Sequence, residues 1–166
     1  MVILGIDPGY AIVGYGILDY NKNRCRVLDF GAVTTPAGMD FPQRLKCIYD
    51  DLCYLFGKYK PENMAVEKLF FNTNKKTAVD VAQARGVILL AAQNNGAKIF
   101  EYTPLQVKQS VVGYGRAEKK QVQEMTRQML GLSAVPKPDD TADALALALC
   151  HAHSSGSLIG NLNQLK

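Results

Sequence analysis

Apolar residues run unbroken from position 2 to position 6 and stop at a carboxylate, in the stretch VILGID. In an extended strand Val2, Leu4 and Ile6 point one way, and Ile3, Gly5 and Asp7 point the other. Both faces stay apolar until Asp7, which predicts a central strand covered on both sides. Pro8-Gly9 then turns the chain. Strand-like runs follow at 12–19 and 24–34, separated by the polar turn Asn21-Lys22-Asn23, so the first three strands are expected to form an antiparallel meander. Between 41 and 58, Leu45, Ile48, Leu52 and Leu55 recur at spacings of three and four, the stripe of an amphipathic helix. Met64-Ala65-Val66-Glu67 is a short apolar strand that again ends in a carboxylate. The spacing predicts a second helix over 75–94, closed by Asn94-Asn95-Gly96, and a fifth strand over 97–102. Helices are expected over 104–111 and 117–130, joined by Gly113-Tyr114-Gly115, and a last one from about 139 to 153.

Strands followed by alternating helices and strands predict an α/β fold with a mixed five-stranded sheet flanked by helices. One domain over 1–153 is expected, with the Ser-, Gly- and Asn-containing stretch 154–166 as a flexible tail. The chain of 166 residues is long enough for one proper core. Hydrophobic residues at 48% and charged residues at 20% are ordinary for a globular protein. No segment approaches the roughly 20 apolar residues of a membrane helix. The four cysteines show no CxxC spacing, and the two histidines sit together at 151 and 153, which argues against a zinc site. Scattered cysteines and no signal peptide fit a cytoplasmic location. A net charge of +4 leans toward a polyanionic partner without identifying one.

Candidate chemistry lies where apolar elements meet carboxylates. Asp7 and Glu67 each close a covered strand, and the carboxyl ends of strands are where α/β sheets bind ligands. Asp140 and Asp143, three apart at the start of a very apolar helix, share a face. Asp139 is turned about 100° away and suits a helix N-cap. Like charges gathered in one pocket raise one another's pKa. A divalent cation resolves that conflict, and an all-oxygen donor set suits Mg²⁺ or Mn²⁺. Each residue also has a structural reading: a turn for Asp7 before Pro-Gly, a salt bridge for Glu67. Basic residues near glycine or polar loops form a second group: Lys75, Lys76, Lys108, Arg116, Lys119 and Lys120. Phe70-Phe71 follows Glu67 and could wedge between bases. The helix over 75–94 carries Ala78, Val81, Ala82, Val87 and Ile88, which could pack in the core or against a partner.

Several stretches together resemble the RuvC family of bacterial Holliday-junction resolvases over nearly the whole chain. They are GIDPG at 5–9, GYG at 14–16, AVEKLFF at 65–71, QARG at 83–86, FEY at 100–102, VKQSVVGYGRAEKKQV at 107–122 and DDTADALALAL at 139–149. The resemblance implies a ribonuclease-H-like fold, a homodimer, and cleavage of four-way DNA junctions with two Mg²⁺ ions per site, Mn²⁺ substituting. It carries the acidic ligands onto Asp7, Glu67, Asp140 and Asp143, with Asp139 as the neighbouring alternative to Asp140. It places Phe70 at the junction centre and Lys108 and Lys119 near the scissile phosphate. It further implies paired symmetric nicks that ligase can seal, in recombination and repair, and a partnership with the RuvA–RuvB branch-migration complex. Two other readings compete. One is a junction-binding module without catalysis, opposed by the filled acidic positions. The other is an actin-like nucleotide-binding protein, opposed by a chain too short for two such domains.

Overall fold

The computed structural model describes residues 1–69, 75–155 and 162–165, without the side chains of Lys75 and Lys76. In chain order its elements are β1 (Val2–Asp7), β2 (Ile12–Asn21), β3 (Arg24–Thr34), α1 (Phe41–Tyr59), β4 (Asn63–Glu67), α2 (Lys75–Asn94), β5 (Lys98–Tyr102), α3 (Pro104–Val112), α4 (Lys119–Met129) and α5 (Asp139–Ser154). The strands form one sheet in the order β3-β2-β1-β4-β5. The meander is antiparallel, with Lys22 and Asn23 at positive φ (47° and 63°) in its first turn. β4 and β5 add to the other side of β1 in parallel. This is the mixed five-stranded sheet that the apolar pattern predicts, and β1 is its central strand.

The two faces of β1 meet different helices. Leu4 and Ile6 join Val13, Ile17, Met64 and Val66 against α1 and α2. In α1 the buried residues are Ile48, Leu52, Leu55 and Phe56, close to the stripe read from the sequence. α2 contributes Ala84, Ile88, Ala91 and Ala92 to this core, with Val87 packed at its edge. On the opposite face Ile3 and Leu18 pack against α5, and α3 and α4 close over it through Val111 and Val122. α5 is apolar nearly all round, with Ala142 and every residue from Ala144 to Ala152 buried. A helix of that kind belongs in an interior. No described helix is long and apolar enough to cross a membrane, and all four cysteines are free.

One feature departs from expectation. Residues 163–165, within the stretch expected to be loose, lie along the outer edge of β5. The Asn163 carbonyl accepts from the Glu101 amide at 2.9 Å, and the Leu165 amide donates to Ile99 at 2.9 Å. The Gln106 side chain donates to the Asn163 side chain at 3.1 Å. An edge strand carries unpaired backbone groups, and these contacts satisfy some of them. His151 is buried near the end of α5. The Asn63 amide donates to its Nε2 at 2.9 Å, which leaves the ring proton on Nδ1, 2.7 Å from the Tyr102 hydroxyl. The ring also lies against Phe100, with centroids 4.3 Å apart.

Candidate active site

Parallel pairing sets Ile6 of β1 beside Val66 of β4. Asp7 and Glu67 are therefore the last residues of adjacent strands. Side chains alternate along a strand, so Asp7 shares a face with Ile3 and Gly5, and Glu67 shares it with Asn63 and Ala65. That face is the one α5 covers. Burial ends there because both strands end there, and each chain exits through a carboxylate.

The seating of α5 depends on three glycines that the periodicity does not explain. Gly5 and Gly16 face each other across β1 and β2, and Gly14 stands opposite Asp7. A Cβ on Gly5 would fall closer than 3.0 Å to the Ala144 carbonyl and the Ala148 amide, and one on Gly14 would strike the Asp140 carbonyl. One on Gly16 would strike the Leu145 side chain. The missing side chains let the helix backbone settle directly onto the strands. Thr141, which the sequence reading passed over, fixes the helix start: its buried hydroxyl donates to the Gly31 carbonyl of β3 at 3.0 Å. The i,i+3 spacing then brings Asp140 and Asp143 to the ends of β1 and β4. Pro138, not Asp139, occupies the N-cap. Proline offers no side-chain acceptor, and Asp139 lies one residue inside, accepting from Lys137 at 2.6 Å.

The charges of this cluster act on one another. Burial, followed by the negative charges of Glu67, Asp143 and Asp140, pushes the pKa of Asp7 up to about 8; Lys119 opposes the rise. Burial and then Asp143 also raise Glu67, again against Lys119. Lys119 reaches Asp143 at 2.8 Å and Asp139 at 3.8 Å. Burial works against its charge, but the hydrogen bond to Asp143 and the neighbouring carboxylates outweigh it and hold the ammonium above its ordinary value. The donors are all carboxylate oxygens, the chemistry of a hard divalent cation. Among the described residues, no three His, Cys, Asp or Glu side chains as placed already form a group that could hold an ion.

Lys108 and Lys119, on α3 and α4, line a cavity of about 190 Å³ together with Glu67 and Asp143. Its position beside β5 follows from the start of α3, where Thr103 and Gln106 exchange side-chain-to-backbone hydrogen bonds in a capping box. Two of the predicted basic residues thus stand beside the carboxylates. Arg116 is exposed on the connection between α3 and α4, and Lys120 is exposed on α4. Phe70 and the side chains of Lys75 and Lys76 lie outside the described residues.

Comparison with known proteins bears on the same elements. The family described as "Crossover junction endodeoxyribonuclease RuvC" matches residues 3–151, from β1 through almost all of α5. A protein of that name from Alkaliphilus oremlandii is 61% identical over 154 residues, covering 93% of this chain and 94% of its own. The RuvC structure of Thermus thermophilus superimposes with a TM-score of 0.90 at 35% identity, covering 99% of this chain and 100% of that one. The Thermus thermophilus RuvC in complex with a Holliday junction substrate gives a TM-score of 0.89 at 33% identity, with the same coverage. The match takes in both carboxylate-ended strands, the glycines beneath α5 and the DDTADA turn that starts it, and on that evidence the chain belongs to the RuvC family of crossover junction endodeoxyribonucleases.

Proposed function

We propose that this protein resolves four-way DNA junctions by hydrolysing one phosphodiester in each of two strands, with Asp7, Glu67, Asp140 and Asp143 as the ligands of two Mg²⁺ ions. The observation that carries this reading is Asp7 itself. It is a carboxylate at the end of the central strand, with three more carboxylates acting on it, and its pKa is lifted to about 8. Such a group is costly to leave ionised without a cation. The relative seen with a Holliday junction supports the choice of DNA structure.

When bound, the cations supply the charge that activates the attacking water and offsets charge on the leaving oxygen. The chain's own residues hold and orient. The β1 and β4 backbones fix Asp7 and Glu67, and the seating of α5 fixes Asp140 and Asp143. Seating a cation requires the release of Asp143 from Lys119, which holds it at 2.8 Å. Lys119 and Lys108 then face the phosphate and stabilise its charge as the bond breaks. Asp140 rather than Asp139 is assigned as the ligand because Asp140 is among the charges that act on Asp7 and Asp139 is not. Arg116, Lys75 and Lys76 contact the DNA backbone, and Phe70 enters the junction centre. The acting unit is a homodimer, which places two sites on two strands, and it works in the cytoplasm with the RuvA–RuvB complex.

The test is a synthetic four-way junction incubated with the protein, with and without Mg²⁺ or Mn²⁺. Paired symmetric nicks that need the cation are expected, and Asp7→Asn should bind the junction without cutting it. Cutting by Asp7→Asn at the wild-type rate would refute the assignment.

A further inference from the structure

The cavity beside the carboxylates has a second wall that the proposed chemistry leaves unused. Glu67, Asp143, Lys108 and Lys119 bound it on the side of the active site, while Pro104, Val107, Val122 and Leu147 supply apolar surface from α3, α4 and α5. We propose that this cavity receives one base, that of a nucleotide adjoining the scissile phosphate, drawn out of its stack. The inference rests on the cleavage reading above.

Three observations converge on that occupant. The first is position. Glu67 and Asp143 belong both to the catalytic cluster and to the cavity wall. A phosphate held by that cluster is bonded to nucleosides on both sides, and successive units of one strand rise only about 3.4 Å. The next nucleoside therefore cannot lie far from the cavity. The second is chemistry. Lys108 and Lys119 beside an apolar wall match a group that is anionic at one end and an apolar-faced ring at the other. The third is size. A cavity of about 150 Å³ lined by apolar side chains takes up benzene. The cavity here, about 190 Å³, holds one ring system and not a base pair. Its occupant is then a nucleotide whose pairing is already broken, as enzymes acting within a strand require when they draw a base from the helix. The strand exchange point of a four-way junction offers such nucleotides at low cost.

The experiment uses the wild-type protein, Mg²⁺ and three synthetic junctions: one intact, and two carrying a tetrahydrofuran abasic residue on the 5′ or the 3′ side of the scissile phosphate. Loss of the base on one side should slow cleavage at least about tenfold, the least that removing one methylene from an apolar pocket costs, with junction binding unchanged. Loss on the other side should matter little. Val107→Phe, which fills the cavity, should cut the intact junction no faster than wild type cuts the slow abasic one, and should be indifferent to that abasic residue. Equal cleavage of all three junctions by the wild type would overturn the inference, whether or not Val107→Phe folds. Failure of the wild type to cut even the intact junction would instead refute the cleavage reading.

Discussion

Gly14 on β2 and Asp140 on α5 touch where a side chain would otherwise stand: a Cβ on Gly14 would fall well inside 3.0 Å of the Asp140 carbonyl oxygen. Because Gly14 is also the cross-strand partner of Asp7, the same position sets how near Asp140 comes to Asp7. Gly14→Ala should therefore push the first turn of α5 off the sheet. Backbone cannot give way as a flexible side chain can, so a loss on the order of 1–3 kcal/mol is expected in urea unfolding. Junction cleavage should fall further than junction binding. Gly57→Ala is the control: it lies in α1 with nothing within 4 Å, and it should stabilise by about 0.5–1 kcal/mol through helix propensity.

Asp7 destabilises the fold in the absence of a cation. In the unfolded chain it ionises near 3.8, while in the folded protein it holds its proton up to about 8. The folded state therefore binds the extra proton between these values, and stability falls as pH rises from about 4 to about 8. With EDTA present, Asp7→Asn should remove that slope and raise stability at pH 8, by up to about 1.4 kcal/mol for each pH unit over which the folded and unfolded states differ. With Mg²⁺ present the order should reverse, because the wild type, with all four carboxylates, gains more from binding. Melting curves of both proteins under both conditions measure this. A variant no more stable than wild type in EDTA would contradict the crowding of charge at Asp7.

The contrast between these two residues shows what the sequence could and could not disclose. Asp7 and Glu67 were visible because each interrupts an apolar strand, a one-dimensional signal. Asp140 and Asp143 were visible because helical geometry ties i to i+3. Gly14 carries no such signal. Its importance comes from a helix more than a hundred residues later, and only the register of β1 against β2 brings the three elements to one point. Thr141 is similar: a hydroxyl at a helix start reads as unremarkable until Gly31 is known to lie beneath it. The return of residues 163–165 to β5 was hidden for a related reason. Polar composition predicts a loose tail, but the donors and acceptors of an edge strand can hold such residues through backbone groups, which composition does not reveal.

Lys119 spans two roles that one variant can separate. It is the cation set against Asp7 and Glu67, and its ammonium bonds Asp143 at 2.8 Å. Lys119→Ala should lower single-turnover cleavage about 10²–10³-fold, the usual cost of deleting one group that stabilises transition-state charge. Binding should weaken far less, and the slope of log affinity against log salt should drop by about 1 if the ammonium contacts one phosphate. Lys119→Arg should restore the salt slope more than the rate, because a planar guanidinium cannot take the compact position of an ammonium beside Asp143. A rate unaffected by either change would remove Lys119 from the mechanism.

His151 predicts a pH dependence of the opposite sign. Burial lowers its pKa to about 4, below the ordinary 6.5, so between these values the unfolded chain binds the proton and the folded one does not. The stability it contributes is complete above about pH 6.5 and is lost progressively as pH falls toward 4, by up to about 1.4 kcal/mol per pH unit. Asp7 works in the other direction over the same range, so the measurement belongs in the Asp7→Asn background, by urea unfolding from pH 4.5 to 7. His151→Phe should flatten the acid slope. It should also lower stability at pH 7, since the Asn63 amide loses its acceptor and the Tyr102 hydroxyl loses its partner. A slope that survives in His151→Phe would assign the acid sensitivity to another group. A flat profile in the parent would mean that the ring can charge without leaving its place between Asn63 and Tyr102.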